Sequence, residues 1–135
     1  MNNNPLSPRS PSGVLGSAPL LGCRVEDERG IAVIHCSGEL DMSTAPVLRA
    51  ELERLADPTR HVIVDLSDVA YCDMSGIRLL EDHDNLCGER GCMLVTVIPP
   101  GIVRRVFEII EATKMLRLAD TREQACALLG GSSSG

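Results

Sequence analysis

The stretch 61–80, H-V-I-V-D-L-S-D-V-A-Y-C-D-M-S-G-I-R-L-L, decides how this chain is read. Val62, Ile63 and Val64 form a short β-branched apolar run, the composition of a strand buried on both faces. Asp65 ends the run, and 66–71 reads as a connection over the rim of a sheet. Beyond it, Ile77, Leu79, Leu80 and Leu86 recur with helical rather than alternating spacing. Asp73 stands where an N-cap carboxylate accepts from the free amides of a first turn. Ser75 then falls inside that turn, near unpaired N–H donors and the positive end of the helix dipole. A short hydroxyl so placed is suited to becoming an anion.

Upstream, 23–27 and 31–37 are strand candidates separated by Glu28-Arg29-Gly30, which suits a hairpin. Residues 38–41 leave the second strand. Ser43 or Thr44 can cap the next helix, and Pro46 is tolerated there because first-turn amides have no helical acceptor. Leu48, Leu52 and Leu55 make its apolar stripe, opposed by Arg49, Glu53 and Arg54, and Asp57-Pro58 stops it. Downstream, the helix after Asp73 closes around 88–91, and 92–98 reads as another strand. Pro99-Pro100-Gly101 turns the chain into a third helical stripe of Ile102, Val103, Val106, Ile109 and Ile110. A short edge strand is expected over 115–118. Thr121 to Gln124 has capping-box spacing and opens a last helix through Ala125, Leu128 and Leu129. Strands alternating with helices after an initial hairpin imply an α/β domain with a mixed sheet of four to five strands.

The 135 residues suffice for one packed core. Segment 1–19, rich in Asn, Pro, Ser and Gly, has no periodicity and is expected to be disordered. The domain spans 20–129, and 130–135 is expected to be a flexible Gly/Ser tail. Hydrophobic content is 44% against 1% aromatic, so the core must be aliphatic and platforms for stacking bases are lacking. With a net charge of −6 and no continuous Lys/Arg stripe, a nucleic-acid partner is not expected. No apolar run approaches the roughly 20 residues of a membrane span. Leu20-Leu21-Gly22-Cys23 superficially resembles a lipoprotein cleavage box, but Pro11, Gly13, Gly16 and Pro19 make a poor signal sequence, and it reads as strand entry. The cysteines at 23, 36, 72, 87, 92 and 126 lie scattered in apolar segments without C-x-x-C, the pattern of reduced core thiols in a cytoplasmic protein.

Other chemistries are weaker. His35-Cys36 invites comparison with cysteine phosphatases, yet Met42 stands where their phosphate-holding arginine would be. His83 and Cys87 have metal-competent i, i+4 spacing, but two ligands do not close a zinc site. Asp65, Asp68 and Asp73 lack a nearby histidine or lysine to activate Ser75, so they read as caps, turn residues and partner contacts. There is no Gly-rich phosphate loop. No catalysis, cofactor or intrinsic metal is expected.

The motifs D-M-S-G-I-R-L-L after V-I-V-D-L-S-D-V, G-E-L-D-M-S-T-A-P over 38–46, and V-R-R-V-F-E over 103–108 together resemble the STAS domain of bacterial anti-sigma factor antagonists. In order, they span roughly 24–129. Met74 departs from the family's usual Ser or Thr, leaving Ser75 the only hydroxyl in its motif, and Arg78 replaces a second glycine common there. The resemblance implies a single STAS domain with helices mainly on one face and a protein-binding switch. The unphosphorylated form would bind an anti-sigma factor of kinase-type ATPase fold and free the sigma factor. That partner would phosphorylate Ser75 and end the binding, and a serine phosphatase would reset it. Asp41, Ser43, Thr44, Asp73, Met74, Ser75, Gly76 and Arg78 would form the partner surface of a monomer or weak dimer. A ligand-sensing or scaffold STAS module is the alternative.

Overall fold

In the computed structural model, residues 20–55, 57–111 and 115–130 are described; segments 1–19 and 131–135, where disorder is expected, lie outside that range. Strands β1 (Leu21–Glu28) and β2 (Ile31–Leu40) form the hairpin. Helix α1 (Ala45–Glu53) leads to β3 (Val62–Cys72), and α2 (Met74–Glu89) to β4 (Leu94–Val97). Helix α3 (Ile102–Ile109), β5 (Arg117–Ala119) and α4 (Arg122–Gly130) complete the chain. Gly130, expected in the tail, is the last residue of α4.

The five strands lie in the order β1-β2-β3-β4-β5, with β1 antiparallel to β2 and all later pairs parallel. Because the order advances in one direction, right-handed crossovers carry α1, α2 and α3 to the same face. There Leu48 and Leu52, Ile77, Leu79 and Leu80, and Phe107 pack with Ile34, Cys36, Val64 and Leu94. After β5 the chain folds back, and α4 covers the other face with Ala125 and Leu129 over Ile63, Val95 and Val97.

Two expectations are corrected. Segment 66–71 is no rim connection: β3 runs on to Cys72, pairing Val69 with Gly38 and Cys72 with Leu40 beyond register shifts in the β2–β3 ladder. Polar residues such as Asp65 and Ser67 broke the apolar pattern, but β2 offers a ladder partner along this length. The stripe of α3 is also only partly buried: Val103 and Val106 pack against the core, but the other three residues do not. Phe107 is its one fully buried residue, whereas Ile102 and Ile109 are 82% and 69% exposed. A two-turn helix seats one large side chain on the sheet, and here the ring occupies that seat.

Candidate functional site: the serine at the start of helix α2

Strands β2 to β5 point the same way, so every helix begins at one rim of the sheet. Ser75 lies on that rim, half-buried, in the first turn of α2. As expected, Asp73 is the N-cap: its Oδ1 accepts from the Ser75 amide at 2.8 Å. The Ser75 hydroxyl itself forms no hydrogen bond among the described residues. Gly76 explains how the helix start sits so low on the sheet. A Cβ there would lie 2.6 Å from Leu40 Cγ and 2.9 Å from Cys72 Sγ, so only glycine permits the approach.

The loop between β2 and α1 is joined to the same place. The Asp73 amide donates to the Leu40 carbonyl at 3.1 Å, tying the start of α2 to the end of β2. From there Asp41 organises the loop. Its Oδ1 accepts from the Ser43 amide at 2.9 Å, the Ser43 hydroxyl at 2.7 Å and the Thr44 amide at 3.1 Å. The Ser43 hydroxyl foremost, with these amides, holds the Asp41 carboxyl below its ordinary range against a smaller burial penalty. Neither Ser43 nor Thr44 caps α1 with its side chain. The Thr44 hydroxyl instead donates to the Glu39 carbonyl at 2.7 Å and accepts from the Asp41 amide at 2.9 Å.

The sequence-derived set is thus brought to one rim, but it divides. Ser43, Met74 and Arg78 are exposed, and Asp41, Asp73 and Ser75 are half-buried. Thr44 and Gly76 are buried, so they set the surface from beneath. Sequence reasoning missed two neighbours. Met42 is 77% exposed in the Asp41 loop, and Tyr71 is 49% exposed near the end of β3. An apolar side chain among polar residues hints at Met42, but its exposure and that of Tyr71, a strand residue, depend on which strands end side by side.

The other aspartates leave the rim. Asp65 is buried on the α4 face, where its Oδ2 accepts from Arg122 Nε at 2.8 Å and its Oδ1 from the Ser67 amide at 2.9 Å. Burial pushes its carboxyl upward, but Arg122, Ser67 and His35 together outweigh burial and hold it low. His35 bridges the group, with Nδ1 3.3 Å from Asp65 and Nε2 2.8 Å from Asp68. Arg122 also reaches Glu26 at 2.9 Å. Asp65 is therefore the centre of an ion-pair network rather than a helix cap or partner contact.

At the opposite end, a cleft of about 240 Å³ is lined in part by Leu52, Pro58, His83, Cys87 and Arg90. Burial foremost, and the Arg90 charge second, push His83 toward its neutral form. Among the described residues no three His, Cys, Asp or Glu side chains converge to hold a metal ion. Nor is any helix there long and apolar enough to cross a membrane.

With this geometry in place, comparison with known proteins is specific. The family model of the STAS domain matches residues 23–125. The anti-sigma-F factor antagonist RsfB of Mycobacterium tuberculosis is 28% identical over 102 residues, covering 75% of this chain and 83% of that protein. An anti-sigma F factor antagonist of Paenibacillus polymyxa is 24% identical over 109 residues, covering 78% and 92%. Among solved structures, an anti-sigma factor antagonist from Mycobacterium paratuberculosis superposes with a TM-score of 0.74 at 25% identity, over 81% of this chain and 93% of that one.

Proposed function

Because this chain belongs to the STAS domain family, matching its model over 23–125, we propose that it is an anti-sigma factor antagonist whose binding is switched by phosphorylation of Ser75. The observation that carries this reading is the Ser75 hydroxyl: unengaged among the described residues, half-buried at a helix start, and bonded through Asp73 and Leu40 to the Asp41 loop. The names of the relatives support an anti-sigma factor as the partner. A partner of kinase-type ATPase fold supplies ATP and magnesium and transfers the phosphoryl group to Ser75 Oγ. A serine phosphatase removes it. The protein itself performs no catalysis and acts in the cytoplasm.

The docking surface in this reading is Asp41, Ser43, Asp73, Met74, Ser75 and Arg78, with Met42 and Tyr71 adding apolar area at its edge. Thr44 and Gly76 position it. Phosphorylation brings about −1.5 to −2 charges and three acceptor oxygens. The helix dipole favours an anion at this point by ~0.3–1 kcal/mol. Asp73 opposes it, because its carboxylate already occupies the Ser75 amide. The fold therefore tolerates the phosphate without gaining from it. In an interface, an unpaired buried charge costs on the order of 2–5 kcal/mol, or roughly 30- to several-thousand-fold in affinity.

The test is to recover the tagged chain from its source cells and identify what binds. An ATPase-fold anti-sigma factor should co-purify with wild type and with Ser75→Ala, and should phosphorylate wild type alone. Full phosphorylation of Ser75→Ala by that partner would contradict the assignment. Recovery of only a small ligand or a homotypic assembly would favour the sensing or scaffold module.

A further inference from the structure

Cys23 on β1 and Cys36 on β2 face each other across the hairpin, with their sulfurs 3.8 Å apart. The hairpin turn fixes what kind of pair they are. Arg29 and Gly30 both have positive φ, 56° and 82°, as a two-residue type I′ turn requires. In such a hairpin the flanking residues, Glu28 and Ile31, form a hydrogen-bonded pair, and the pairs alternate from there. The register is continuous, so Asp27–Ala32 is non-hydrogen-bonded, Glu26–Val33 bonded, Val25–Ile34 non-bonded, Arg24–His35 bonded and Cys23–Cys36 non-bonded. Non-hydrogen-bonded antiparallel pairs hold their Cα atoms ~4.5 Å apart. That lies within the roughly 4.4–6.8 Å that a disulfide spans. We propose that Cys23 and Cys36 are a dithiol site that a peroxide oxidises to an intrachain disulfide, a modification separate from the serine switch.

The two thiols are unequal in a way that assigns their roles. Cys23 is half-buried on the edge strand, where a small oxidant can reach it, and Cys36 is fully buried beneath α1. Either thiol can donate across this contact; because Cys23 is the more exposed, it is the better placed to ionise, and a bond donated by Cys36 then lowers the Cys23 pKa, against burial and the nearby Glu51 carboxylate. The same hydrogen bond, with burial, pushes the Cys36 thiol up. Cys23 is therefore the thiolate that attacks the peroxide, breaking its O–O bond to give a sulfenic acid and hydroxide. The Cys36 sulfur then attacks the Cys23 sulfur, the S–S bond forms, and the departing hydroxide takes the Cys36 proton as water. Overall, two thiols and one peroxide yield a disulfide and two waters. Cys87 and Cys92 also meet thiol to thiol, but both are buried, without a half-exposed member for an oxidant to reach; burial foremost pushes Cys72 and Cys87 to about 12 and also raises Cys126.

Peptide mapping of the full chain after hydrogen peroxide treatment and alkylation tests this. Trypsin separates Cys23, in peptide 10–24, from Cys36, in peptide 30–49. The expected product is these two peptides joined, with loss of alkylation at both cysteines and full recovery on dithiothreitol treatment. Cys36→Ser should stop at a Cys23 sulfenic acid trapped by dimedone, and Cys23→Ser should leave Cys36 as a free thiol. Linkage of Cys23 to another cysteine, or Cys23 over-oxidised to sulfinic acid while Cys36 remains alkylated, would overturn the proposal.

Discussion

Carboxylates at this molecule's helix starts and strand ends look alike in the sequence and do different things in the structure. Asp73 caps, Asp41 folds a loop around its carboxylate, and Asp65 anchors α4 to the sheet. The role of Asp73 could be read from local spacing, because a cap is satisfied within three residues; that of Asp41 is as local but appears only in the structure. The role of Asp65 could not, because its partner Arg122 is 57 residues away. Removing that partner is expected to be costly. Arg122→Leu strips a buried carboxylate of its arginine, leaving only His35 and the Ser67 amide, and should destabilise by about 3–5 kcal/mol in urea titration, nearer the low end because Arg122 is partly solvated and those partners remain. The pH dependence should also weaken. In wild type the Asp65 carboxyl is held below its unfolded value, so its contribution is present above that value and is lost as pH falls through the folded pKa. Without Arg122, burial is opposed only by Ser67 and His35, so the folded pKa moves upward and the stability lost on acidification becomes smaller. An Arg122→Leu variant as stable as wild type at neutral pH would contradict this.

At the level of elements, hairpin, helices and strand order followed from periodicity and turn chemistry, while two boundaries did not. Strand β3 continued past its apolar run because a neighbouring strand satisfied its backbone, and sequence pattern reports side chains, not ladder partners. Helix α3 turned part-way from its expected face, keeping Val103 and Val106 against the core but seating Phe107, because a stripe gives an angle and not which large group docks. That shift gives a direct test: Phe107→Ala should cost about 3–5 kcal/mol, and Ile109→Ala less than about 0.5 kcal/mol. Similar losses for both would restore the stripe reading. Gly76 tests how α2 is seated. Alanine gains up to ~1 kcal/mol of helix propensity over glycine, and less in the first turn. Its methyl would collide with Leu40 and Cys72, both nearly inaccessible, at an overpacking cost of about 1–3 kcal/mol. Gly76→Ala should therefore be net destabilising in chemical denaturation; a raised denaturation midpoint would show that the helix seat can relax.

For the molecule as a whole, one sheet direction places all four helix starts on one rim, and the ends of β2 and β3 bring the Asp41 loop to Ser75. This convergence was visible in the sequence only through the family motifs, since no local rule relates 38–46 to 73–80. The exposed Met42 and Tyr71 were invisible for the same reason: their accessibility depends on which strands end side by side. In the proposed switch, a phosphate on Ser75 spares this fold and breaks the complex formed at the rim. Calorimetric titration of the purified anti-sigma factor partner with unphosphorylated and Ser75-phosphorylated protein, alongside their thermal midpoints, measures both halves at once. Affinity should fall by roughly 30-fold or more on phosphorylation while the midpoints stay close together. Equal affinity of the two forms, or a phosphorylated protein that no longer folds, would contradict the account.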